Sequence, residues 1–145
     1  MKKTVLLSGI TLLLLLFACR RKGDENLKNG GLTKEMLRDS TKVVFSQIEY
    51  DFDTIQEGQI VEHYFTFKNI GDKNLYIANA YGSCGCTVPE YPKEPVTPGS
   101  EGRIKVTFNS AGKEGPQNKT ITLIMNTANR NELLYMKGFV RKKGS

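Results

Sequence analysis

A chain of 145 residues, 39% of them hydrophobic, has room for one domain plus extensions and enough apolar surface for a core. Its formal charge of +6 invites a nucleic-acid partner, but the surplus lies mostly before residue 42. Residues 42–145 hold 13 basic and 11 acidic side chains, a balance of +2, with no basic stripe interleaved with aromatics, which argues against nucleic-acid binding.

The chain opens on Lys2-Lys3, followed by a mainly apolar run from Val5 to Ala18. That run is short of the roughly 20 residues a membrane span needs and suits the core of a signal peptide. Leu16-Phe17-Ala18-Cys19 resembles a bacterial lipobox, with small Ala18 before the cut and Cys19 as the acyl acceptor. The resemblance implies a lipoprotein signal peptide over 1–18 and diacylglycerol and palmitate-type chains on Cys19. Buried methylenes at about 0.8 kcal/mol each make such a terminus a firm anchor. The expected location is the bacterial cell envelope, at the outer membrane, with either side of it open to the domain. Residues 19–42 are polar, carry Gly23, Gly30 and Gly31, and read as a flexible tether. Leu32 to Leu37 has the composition for one helical turn but few apolar positions to bury it.

From Val43 the pattern changes. Val43, Val44, Phe45, Ile48, Tyr50, Phe52 and Ile55 mark strand-forming residues, closed by a turn at Gln56-Glu57-Gly58. Val61, His63, Phe65 and Phe67 then alternate with Glu62, Tyr64, Thr66 and Lys68, the period of a half-buried strand. Asn69 to Asn74 is turn chemistry, and Leu75 to Ala80 is the next strand. It delivers the turn Ser83-Cys84-Gly85-Cys86-Thr87-Val88-Pro89, in which Gly85 suits a sharp bend and Pro89 interrupts pairing. Prolines at 92, 95 and 98 extend the following loop. Ile104, Val106 and Phe108 make one strand, Ile121, Leu123 and Met125 another, and Leu134, Met136 and Val140 point inward from a last one, leaving 142–145 as a polar tail. Short alternating strands between Gly, Pro and Asn turns predict an all-β, immunoglobulin-like antiparallel sandwich of about seven strands over 43–141.

Four blocks in order carry a family resemblance. Asp51-Phe52-Asp53-Thr54-Ile55 with Gly58, Phe65-Thr66-Phe67-Lys68-Asn69-Ile70-Gly71, Cys84-Gly85-Cys86-Thr87-Val88-Pro89 and Pro98-Gly99-Ser100-Glu101-Gly102 resemble a bacterial domain of unknown function. Asp53 stands where that pattern has glycine. The resemblance implies the Hydin-like and major-sperm-protein-like branch of immunoglobulin folds, often in secreted lipoproteins, and no established activity.

Cys84 and Cys86 admit four readings. A disulfide between them closes a ring so small that the chain-entropy gain is only about 1.6 kcal/mol, hence a weak and reducible staple. Two thiolates suit Cu(I) or half of a Zn site. A nucleophile wants a base, and His63, the only histidine, shares an apolar strand face. The fourth reading is a turn whose small side chains pack beneath the proline loop. With no paired carboxylates at a catalytic spacing, the chain is read as a non-enzymatic binding or assembly module for an envelope protein or glycan. The alternative is a thiol redox or soft-metal-handling protein acting through Cys84 and Cys86.

Overall fold

The computed structural model describes residues 31–144. The expected signal peptide, Cys19 and most of the stretch read as a tether lie outside the described residues. A short helix, α1 (Lys34–Arg38), is followed by eight strands: β1 (Val43–Phe45), β2 (Glu49–Gln56), β3 (Ile60–Asn69), β4 (Ile77–Gly82), β5 (Thr87–Glu90), β6 (Glu101–Asn109), β7 (Gly115–Met125) and β8 (Asn131–Arg141). They form two four-stranded sheets, β1-β3-β6-β5 and β2-β8-β7-β4. Between the sheets lie Phe52, Phe65, Phe67, Ile104, Val106, Phe108, Ile121, Leu123, Met125, Leu134, Met136 and Val140. The alternation puts these side chains inward because successive residues of a strand point to opposite faces. With no Trp in the chain and no disulfide between the sheets, apolar packing joins the two layers.

The all-β sandwich is the expected one; the direction of one strand and the place of Pro89 depart from the sequence reading. Among the described residues there are eight strands, close to the expected seven, and β2 runs parallel to β8 while every other strand pair is antiparallel. The chain leaves one sheet at β1 and joins the other at β2 within three residues, so β2 meets the last strand without a hairpin. Alternation reports a strand's faces but not its direction. Pro89 also lies inside β5, paired opposite Val106, rather than ending the ladder. β5 is an edge strand, where a missing N–H is tolerated.

β2 carries an irregularity between Asp51 and Thr54. Asp53 adopts φ +56°, a left-handed conformation, and its N–H donates to Asp51 Oδ1 at 2.9 Å. That backbone explains why glycine suits this position in the resembling domains, and aspartate is among the few other residues that tolerate it. The bulge turns Phe52 inward over Gly138 of β8, where an added Cβ would collide with the Phe52 ring.

At one end of the sandwich two buried asparagines hold the loops. Asn69 Nδ2 donates to the carbonyls of Lys73 and Val96, each at 2.8 Å. Asn126 Nδ2 donates to the carbonyls of Asp39 and Asn74 at 2.8 and 2.9 Å, and its Oδ1 accepts from Tyr76 N–H. Ordered contacts therefore begin upstream of Val43: Leu32 is fully buried, and Thr33 caps α1 by accepting from Met36 N–H. The last part of the stretch read as a tether is thus tied to the sandwich.

Candidate functional site

The cysteine turn joins an edge strand of one sheet to an edge strand of the other, leaving β4 and entering β5. Hydrogen bonds hold it on both sides. Ser83 N–H donates to the Thr120 carbonyl at 2.8 Å, and Thr120 N–H returns a bond to Ser83 Oγ at 3.2 Å. Thr87 N–H donates to the Cys84 carbonyl at 3.1 Å, closing the turn, and Asn109 N–H to the Cys86 carbonyl at 2.9 Å. Within this frame the Cα atoms of Cys84 and Cys86 stand 5.2 Å apart, and the two sulfurs are bonded to each other. Both cysteines are half-buried, with Cys86 packed against the core cluster.

Thr87 is buried and lies under the turn. Its Oγ1 is 3.6 Å from Cys84 Sγ and 3.9 Å from Cys86 Sγ. The bend itself does not rest on a left-handed Gly85: its φ is not positive, and a Cβ there would meet nothing within 4 Å. The glycine the turn needs is Gly82, where a Cβ would run into the Thr87 backbone. Thr87 pairs with Phe108 across β5 and β6, and the Lys119 ammonium stands over the Phe108 ring, 5.4 Å from its centroid. Burial and then the nearby Lys113 lower the pKa of Lys119.

His63 is not part of this site. It lies on β3, two strands from β5, stacked on Tyr50 at 3.8 Å between ring centroids and edge-on to Phe65 at 4.6 Å. Its Nε2 meets Gln47 Nε2, and partial burial lowers its pKa. Among the described residues no three His, Cys, Asp or Glu side chains are gathered as metal ligands would be.

A second feature escaped the sequence reading: the outer face of the sheet β2-β8-β7-β4. Leu134, Met136 and Val140 point inward as expected, which sends Leu133, Tyr135 and Phe139 outward, 42%, 36% and 44% exposed. Leu133 pairs with Thr122, and Thr122 with Tyr81, so Leu133, Thr122 and Tyr81 form one row across three strands. Thr120 and Tyr135 form the next row, beside the Ser83 end of the cysteine turn. The Glu49–Lys137 ion pair borders this patch. On the other sheet, by contrast, Lys105 reaches both Glu62 at 2.7 Å and Glu90 at 3.9 Å across the middle of the outer face. The signal was present in Leu133-Leu134-Tyr135-Met136, an unbroken apolar run where a one-sided strand would alternate.

Two packed sheets, with the chain switching between them after β1, define an immunoglobulin-like β-sandwich module. The chain belongs to the family described as Protein of unknown function (DUF1573), which it matches over residues 43–140. No curated protein matches it in sequence. Among solved structures it is similar to a protein of unknown function from Porphyromonas gingivalis W83, with a TM-score of 0.61 and 12% identity over 74% of this chain. It spans 49% of that protein. It is also similar to the ASH/PapD-like domain 7 of human CEP192, with a TM-score of 0.56 and 13% identity, covering 77% of this chain and 92% of that domain. The secreted serine protease VesC from Vibrio cholerae gives 0.54 at 12% identity, covering 76% of this chain but only 25% of the protease. At these identities the likeness is one of fold.

Proposed function

We propose that this protein is a lipid-anchored module of the bacterial cell envelope, without enzymatic activity of its own, that binds a protein partner on the outer face of β8 and its neighbours. The observation that carries the reading is the row of Tyr81, Thr122 and Leu133 with Tyr135 beside it: two exposed tyrosines and an exposed leucine presented across three strands of one sheet, with the small Thr122 between them. Contiguous exposed apolar surface of this kind marks interaction sites, and aromatic side chains provide contact area at little cost in side-chain entropy. The Lipobox-like Ala18-Cys19 supplies the anchor, at the outer membrane, and the polar residues after it the reach.

Two measurements test the two halves. Labelled palmitate enters the wild type and not Cys19→Ala if the anchor is acylated; label retained by the variant contradicts it. Tyr135→Glu with Leu133→Glu removes the cross-linked complex formed in intact cells while leaving the melting temperature near that of the wild type. A complex that survives the double substitution contradicts the assigned face.

A further inference from the structure

We propose that the Cys84–Cys86 disulfide is a thiol–disulfide exchange site that accepts two electrons from a protein dithiol, with the Thr87 hydroxyl held against both sulfurs to stabilise the departing thiolate. This goes beyond the docking role, which uses a different set of side chains; one disulfide passes to one partner, a stoichiometric exchange and not a turnover.

Three features point to it. The ring spans a sequence separation of two, so closing it gains little chain entropy, and the bond contributes little to keeping the domain folded. The turn is held without it, by the bonds of Ser83 to Thr120, of Thr87 to Cys84 and of Asn109 to Cys86. Reduction therefore leaves the two thiols beside each other, poised to close again. Gly85, between them, is exposed and surrounded by open space, which gives an incoming thiol access to the half-buried sulfurs. Thr87 is buried, yet its hydroxyl reaches each sulfur, at 3.6 and 3.9 Å.

The exchange balances as follows. A thiolate of the partner attacks Cys84 Sγ, because Cys86 is the sulfur packed against the core. The Cys84–Cys86 bond breaks and Cys86 leaves as a thiolate, accepting a hydrogen bond from Thr87 Oγ1. The partner's second thiolate then attacks its own sulfur in the mixed disulfide and releases Cys84. The partner ends oxidised, with one new disulfide. This chain ends with two thiols, which carry the two protons the partner's thiols lost.

The full chain, purified without reductant, is the material for the test, with dithiothreitol as the probe dithiol. Alkylation followed by mass analysis of the peptide carrying Cys84 and Cys86 reads the outcome independently of Cys19. The two thiols are expected to appear together and to disappear again when dithiothreitol is removed and oxidised glutathione is added. Thr87→Val is expected to slow the exchange about tenfold and to shift its pH profile upward, with Thr87→Ser restoring both, because a hydrogen bond to a charged sulfur is lost and regained. In Cys86→Ser, Cys84 is expected to form an adduct with oxidised glutathione. Thiols already free in protein alkylated at lysis would overturn the proposal. So would a disulfide that resists dithiothreitol in the folded protein, an unchanged rate and pH profile in Thr87→Val, or a Cys84 that takes no adduct.

Discussion

Thr41 donates its hydroxyl hydrogen to Asn69 Oδ1 at 2.9 Å, across 28 positions of sequence, while its own N–H donates to the Asn126 carbonyl at 2.9 Å. A single residue two positions before the first strand thus connects the two asparagines that hold the loops at that end. Asn69 has its side-chain carbonyl and amide both engaged, so removing it strands several buried groups at once. Asn69→Ala is expected to cost about 3 kcal/mol and Thr41→Val about 1 kcal/mol, measured by urea unfolding. Equal, negligible losses would show that these bonds are replaced by water.

Removal of residues 31–41 extends the same argument. It takes away Thr41, the Asp39 carbonyl that accepts from Asn126, and the buried Leu32. The shortened domain is expected to melt below the intact one by at least the Thr41→Val difference. An unchanged melting temperature would mean that the sandwich holds that end by itself.

His63 supplies a pH dependence. Desolvation lowers its folded pKa, so folding favours the neutral ring. The corresponding stability is fully present above the unfolded value of about 6.5 and is lost as pH falls below it. The comparison is with His63→Gln, which lacks the titrating ring. The wild type is expected to lose more melting temperature between about pH 7.5 and pH 5 than the variant does. Parallel pH curves would contradict the assignment.

Asp53 tests the bulge. Asp53→Gly keeps the left-handed backbone and the bond from residue 53 N–H to Asp51, and is expected to be neutral or stabilising by up to about 1 kcal/mol. Asp53→Val must force a branched side chain to the same φ and is expected to destabilise by about 1–2 kcal/mol in thermal unfolding. The reverse order would remove the conformational explanation.

The sandwich was legible because alternation leaves a periodic trace: Phe65 and Phe67, Ile104 to Phe108, and Ile121 to Met125 all point where their spacing sends them. Direction and close approach leave no such trace. The parallel pairing of β2 with β8 is set by which edge the chain reaches, and the need for Gly82 by a backbone that comes from five residues further on. Gly85 drew notice for its place between two cysteines, although the turn would accept a side chain there. The outward column Leu133, Tyr135 and Phe139 was hidden for a related reason. In an unbroken apolar run, the inward residues mask their outward neighbours.

The most direct test of the account places a photoreactive phenylalanine analogue at position 135, on the outer face of β8, and in a separate variant at position 64, on the outer face of the other sheet. Both positions are exposed tyrosines, so the two probes differ in face rather than in accessibility. Irradiation of intact cells is expected to give a discrete cross-linked protein from position 135 and none from position 64. The same product from both positions, or one from position 64 alone, would contradict docking on the face of β8.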